Sequence, residues 1–176
     1  MPNDNMKLWD AVCETNPADT KHVNQRGGFT AIGAQSQIRE ATGQWGPVGA
    51  GWGYQVDYHE LVGKAAVFQF ADVTLWYWPD GAPYDTGKQA RFGPVRGCCL
   101  LVNDKGRLDE DAPKKALTDG LTKALSHLGF NADVFLGKFD DCKYVDKMKA
   151  KFGNQQGDAP TEPERDWTDE QTAADF

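Results

Sequence analysis

The sequence predicts an α+β domain, and three observations carry that prediction. Residues 112–128 hold one helix with a single apolar stripe. Three strand-like runs precede it back to back, at about 52–62, 65–78 and 89–102. A helix-like segment over about 30–44 lies ahead of the first run, closed by a glycine-rich turn.

The long helix has the clearest grammar. Asp109, Glu110 and Asp111 precede it and Pro113 suits its first turn, where acidic side chains complement the helix dipole. Leu117, Leu121, Ala124, Leu125 and Leu128 form the stripe, and Gly129 stops the helix. The opposite face carries Lys115, Thr118, Asp119, Thr122, Lys123 and Ser126, with Asp119 four residues from each lysine.

Ahead of it, residues 6–13 read as a short helix with Leu8, Trp9 and Val12 apolar. Residues 16–28 read as a polar loop carrying Lys21, His22 and Arg26, and Thr30 as the N-cap of the next helix. That helix has only Ile32, Gln35, Ile38 and Trp45 for a face, so it is expected to pack on a sheet. WGPVGAGWG can only be a turn, with Trp45 and Trp52 wedging the helix against the strands. The 65–78 run is largely apolar on both faces, which requires cover on both. With so few helices one face waits for a neighbouring subunit, and an oligomer is expected. Trp76 and Trp78, near a hairpin tip, are the aromatics expected to be most exposed. Pro94 makes the middle of the third strand an edge or a bulge. After the long helix, 133–138 reads as a connector and 140–152 as a helix with Lys143, Lys147, Lys149 and Lys151.

Composition sets the outer bounds. The 176 residues make one domain, 1–152, and a tail, 153–176, rich in Gly, Gln, Pro and acid and expected to be disordered. Of the formal charge of −7, the tail holds seven acids and one base, which leaves the folded part close to neutral. A near-neutral surface still binds phosphates where its bases converge. No apolar run reaches membrane-span length and MPNDNMKLWD has no leader pattern, so a cytoplasmic location without membrane contact is expected. Cys13, Cys98, Cys99 and Cys142 show no C-x-x-C spacing and read as free, buried thiols.

Catalytic chemistry finds little footing. No glycine-rich stretch completes a G-x-x-x-x-G-K-[ST] phosphate loop: Gly87-Lys88 is followed by Gln89. His22, His59 and His127 lack ligand spacing. Asp140-Asp141 and Asp109–Asp111 suit helix starts better than a magnesium-dependent nuclease. No catalytic residue, metal or cofactor is expected.

Two patches resemble a known family. The order KKALTDGLTKALSHLGFNA, followed by a short acidic loop and Tyr144, resembles the DNA-binding helix of the Rad-fifty-two family of recombination proteins, and more closely its bacteriophage relatives of the Sak and Erf type. FTAIGAQSQIREATGQWGPVGAGW resembles the family's early helix, with its aromatic-Gly pair, turn and Gly-Trp. With the strands between, the resemblance covers roughly residues 20–146. It implies a β-β-β-α core, a three-stranded antiparallel sheet packed on a helix. It also implies ATP-independent annealing of complementary single strands in homologous recombination, by a ring or arc of subunits.

A single-strand binder needs a basic groove that tracks phosphates. Candidate bases are Lys114, Lys115 and Lys123 on the long helix, Arg39 on the early helix, Lys64, Lys88, Arg91 and Arg96 on or between strands, and Lys21 and Arg26 in the N-terminal loop. Lys123 falls where the family carries a base of its Lys-Arg pair, and the resemblance implies a backbone contact there. Thr122 stands where the first base of that pair would be. Ser126 and Phe130 stand where an arginine and an asparagine often occur, and Ser36 at another frequent arginine. The groove must then draw on Arg39, Lys64, Arg91 and Arg96. Local carboxylates compete: Asp119 for Lys115 and Lys123, and Glu40 or Asp57 for Arg39. The tail's Asp175-Phe176 ending is similar to the partner-recruiting tips of bacterial single-strand binding proteins, although a solvating tail that competes with DNA for the bases suits it better. The alternatives to annealing are a binder that only protects single strands and, from another class, the nuclease.

Overall fold

The computed structural model describes residues 4–24, 28–64, 66–81, 87–103 and 105–153. The elements run α1 (Lys7–Val12), β1 (Thr20–Val23), β2 (Phe29–Ile32), α2 (Ala34–Trp45), β3 (Trp52–Val62), β4 (Val67–Tyr77), β5 (Ala90–Val102), α3 (Ala112–His127), α4 (Ala132–Phe135) and α5 (Cys142–Gly153). β1 and β2 form an antiparallel pair, and β3-β4-β5 form a separate antiparallel sheet. The architecture is α+β, with α3 following the three strands directly. Arg26 and residues 154–176, including the acidic tail, lie outside the described residues.

The N-terminal reading needs correction. The segment expected to be a loop holds a 3-10 turn (Pro17–Asp19) and β1, whose partner β2 takes in Thr30 opposite His22. Gly33, not Thr30, occupies the N-cap of α2. Thr20, Val23, Phe29, Thr30 and Ile32 are β-branched or aromatic and suit strands, but four residues are too few for alternation to show. Likewise the expected 133–138 connector overlaps α4 at one end and a 3-10 turn, Lys138–Asp140, at the other.

β3 and β4 pair without interruption from Trp52↔Tyr77 to Val62↔Val67. β5 pairs with β4 at the sheet's edge, and its register shifts between Val73 and Leu75, beside Gly93 and Pro94, as the proline predicts. Gln69, Ala71, Val73 and Leu75 of β4 are buried on the face that α3 covers. The other face carries Phe68, Phe70, Asp72, Thr74 and Trp76, none of them buried. It is apolar at its ends and polar in its middle, so the prediction of two apolar faces holds only in part.

α3 approaches the sheet unusually closely because its inner face is small. Ala112, Ala116, Gly120, Leu121, Ala124 and Leu125 are buried, while Leu117 and Leu128 only flank the core. A side chain at Gly97 of β5 would stand 2.0 Å from Ala116 O and 2.3 Å from Gly120 N. One at Gly120 would stand 2.8 Å from Val73 Cγ2. Two glycines therefore set the helix–sheet distance. Gly129, at φ 105°, turns the chain after the helix.

The core then closes around aromatic rings. Trp45 and Trp52 are fully buried with ring centroids 6.0 Å apart, as the turn between them predicts. Tyr77 stacks on Trp45 at 4.3 Å and Phe130 meets its edge at 5.0 Å. Such pairs add about 0.5–1.5 kcal/mol each beyond their buried area. Trp76 and Trp78 are half-buried; Phe29, Tyr58 and Phe135 are more exposed. The four thiols are free, but none is buried, because Cys98 lies on the uncovered sheet face and Cys142 opens α5.

The C-terminal part is held by a buried carboxylate. Asp133 accepts hydrogen bonds from Thr15 N at 2.8 Å, Thr15 Oγ1 at 2.5 Å, Val134 N at 2.9 Å and Tyr144 Oη at 2.8 Å. Four neutral donors here replace the usual counter-cation. Burial, and then this bond to Asp133, pushes the Tyr144 phenol well above its ordinary range.

Gly97→Ala should therefore destabilise the domain by about 3 kcal/mol or more, since backbone rather than a flexible side chain blocks the new methyl. Gly43→Ala, in α2 with nothing near the new Cβ, should instead stabilise it by up to about 1 kcal/mol. Urea unfolding of both variants measures the contrast.

Candidate nucleic-acid interface

The outward face of α3 presents three of the nominated bases. Along it, Thr118, Thr122 and Ser126 bond back to their own helix, at Lys114 O (2.9 Å), Thr118 O (2.7 Å) and Lys123 O (2.8 Å). Their hydroxyls are spent locally, so the lysines are the projecting polar groups.

Each lysine has a carboxylate. Lys114 Nζ lies 3.0 Å from Asp111, Lys123 Nζ 2.7 Å from Asp119 and Lys115 Nζ 2.6 Å from Asp109. The expected Lys123–Asp119 pair is present. Lys115 instead turns to Asp109 before the helix, and that contact holds the Asp109 carboxyl below its ordinary range. Asp119 also accepts the Cys98 N–H of β5 at 3.0 Å, which ties α3 to the free edge of the sheet. Exposed pairs of this kind contribute about 0.2–1 kcal/mol. A DNA phosphate is an equivalent partner, so pairing leaves these lysines competent to bind one.

A shallow groove of about 720 Å³ runs beside Lys123, lined by Trp9, Phe92, Lys123, Ser126, His127, Ala132, Phe135 and Leu136. Phe92 and His127 meet edge to face at 5.9 Å. Phe135 is 49% exposed and Leu136 63%. A cation beside open aromatic and aliphatic surface matches what a sugar-phosphate chain with unstacked bases offers. Sequence reasoning missed Phe135 and Leu136 because they close a one-turn helix that periodicity cannot register.

The other nominated bases are dispersed. Arg39 is bound by Asp19, rather than by Glu40 or Asp57. Arg96 makes two bonds to Asp72, at 2.6 and 2.5 Å, and lies over the Phe70 ring at 5.3 Å. Asp72 also has His59 Nε2 at 3.4 Å, and Arg96 is the chief reason its carboxyl is held below the ordinary value. Arg91 pairs opposite Trp76 on that same uncovered face, away from α3. Lys64 follows β3, Lys21 sits in β1 opposite Ala31, and neither makes an ion pair among the described residues. The four bases from which the sequence builds a groove, Arg39, Lys64, Arg91 and Arg96, thus occupy three separate places in one chain. Phe130, at the family's frequent asparagine, is core.

The acidic clusters serve the fold. Asp109 accepts the Asp111 N–H at 3.1 Å and Asp141 accepts the Lys143 N–H at 2.9 Å, as helix-start carboxylates do. Among the described residues no three His, Cys, Asp or Glu side chains gather to hold a metal ion, and no helix is long and apolar enough to cross a membrane.

Fold and surface together define an α+β domain with a three-stranded antiparallel sheet, one open sheet face and a lysine-bearing helix on the other. Compared with known proteins, the sequence matches no family model and no curated protein.

The double role of Asp119 separates cleanly by mutation. Asp119→Ala should cost about 1–2 kcal/mol, because it removes the acceptor of the Cys98 N–H along with the charge. Asp119→Asn keeps an acceptor oxygen and should cost less than about 1 kcal/mol in the same chemical denaturation experiment.

Proposed function

We propose that this protein binds single-stranded DNA and anneals complementary strands without nucleotide or metal, as the resemblance to phage Sak and Erf type recombination proteins implies. The observation that carries the reading is the β3-β4-β5-α3 unit: three antiparallel strands followed directly by a helix across one face, with Lys123 on its outward side. The lysines of α3 take backbone phosphates, and the Lys123 groove receives the adjoining sugar and base surface. Base-pairing edges stay free, and pairing itself supplies the driving force.

The open sheet face supports self-association. Leu61, Phe68 and Leu100 stand side by side across all three strands and are 56%, 36% and 39% exposed. An apolar row of this kind is ordinary for a subunit contact. A ring or arc of protomers would place many α3 helices along one strand and bring together bases that are scattered in a single chain.

Anisotropy of a labelled oligonucleotide tests the binding step. Affinity should fall with salt, with a log–log slope of about −0.7 for each phosphate neutralised. Lys123→Glu should weaken binding about tenfold, whereas Asp119→Asn, which frees Lys123, should strengthen it. Salt-independent binding, or Lys123→Glu at wild-type affinity, would remove α3 from the interface.

A further inference from the structure

Where α2 meets the turn after α3, three buried side-chain oxygens have no hydrogen-bond donor: Gln37 Oε1, Glu40 Oε2 and Asn131 Oδ1. Gln37 and Glu40 are one helical turn apart and face the same neighbour. Gln37 Nε2 reaches Phe130 O at 3.4 Å. Asn131, fully buried and at φ 55°, donates from Nδ2 to Glu40 Oε1 at 3.1 Å and to Thr15 Oγ1 at 3.0 Å. Turning the amides over does not help. A reversed Asn131 would set its oxygen against Glu40 Oε1 and against a Thr15 hydroxyl whose hydrogen goes to Asp133. A reversed Gln37 would oppose the Phe130 carbonyl. The junction has three acceptor oxygens and no donor left for them.

Its charges are also unbalanced. Asp133 faces it from α4, bound to neutral donors that include Tyr144 of α5, and Asp19 faces it from the turn before β1. Arg39, from α2 itself, is bound to Asp19. The core cluster that α2 shares with α3 and β3 carries no charge. Burial above all pushes the Glu40 carboxyl up to about 7; Asp19 and Asp133 add to this, while the Asn131 bond and Arg39 oppose it. A metal ion would need room, and among the described residues none of these three lines any of the clefts on the surface described above or its neighbours. A proton needs none.

We propose that Glu40 is held as a neutral carboxylic acid whose O–H donates to the Gln37 and Asn131 oxygens, making a proton-operated latch between α2 and the turn after α3. One proton is taken from solvent as the latch closes and returned as it opens. Asn131 also holds Thr15, and Thr15 holds Asp133 with Tyr144, so the latch reaches the segment before β1, α4 and α5. The folded carboxyl lies above its ordinary value of 4.5. The latch's stability is then complete below pH 4.5, is lost between 4.5 and about 7, and stays lost above that.

Unfolding of the wild type and Glu40→Gln across this pH range tests it. The wild type should lose about two orders of magnitude in its folding equilibrium relative to Glu40→Gln, whose amide donates at every pH. In carboxyl ¹³C NMR of the folded wild type, assigned through the Glu40 backbone, Glu40 should titrate near neutrality. This second reading stands even if the variant fails to fold. Glu40 titrating in the ordinary carboxylate range, or a pH profile that Glu40→Gln leaves unchanged, overturns the proposal.

Discussion

The near-contact of two backbones, α3 on β5 at Gly120 and Gly97, is the constraint from which the rest of the structure follows. With no side chain between them, the helix lies close enough for Asp119 to reach the Cys98 N–H and hold the sheet's free edge. That same closeness turns Lys114, Lys115 and Lys123 outward and leaves Leu121 and Leu125 to fill the core. It also commits the longest helix to one face of the sheet. The opposite face is left with an apolar row at one end and the Arg96–Asp72–His59 group at its centre. The DNA-facing and self-associating surfaces of the proposed function are thus two sides of one packing decision.

Electrostatics explain how a chain with net charge −7 presents such a surface at all. Its α3 lysines are neutralised by neighbours rather than by burial. In the proposed function, exchanging an aspartate for a phosphate would therefore change little in solvation and would be driven largely by released counterions. Arg96 is a different case. Two short bonds to Asp72 and a ring beneath it fix the guanidinium in place, which suits an interface between subunits better than a mobile contact with DNA.

Much of this was legible in the sequence. β3, β4, β5 and α3 were visible because each is long enough to show its period, and the paired tryptophans because glycines left the chain between them nothing but a turn. The β1-β2 hairpin and α4 were not, since four residues carry no period. Asp72 and Thr74 sat in plain view, yet the aromatic residues around them made the open face read as largely apolar. The site was legible only as a set of bases. Which carboxylate each would choose depends on distances in space, as Lys115 with Asp109 and Arg39 with Asp19 show. The Glu40 junction joins residues more than ninety positions apart and had no local signal.

Annealing of two complementary labelled oligonucleotides, with neither nucleotide nor divalent metal present, addresses the central claim most directly. Pairing should run much faster than the spontaneous rate at protein levels that coat both strands. A protein that binds each strand yet slows their pairing would be a protective binder, and the annealing function would be wrong.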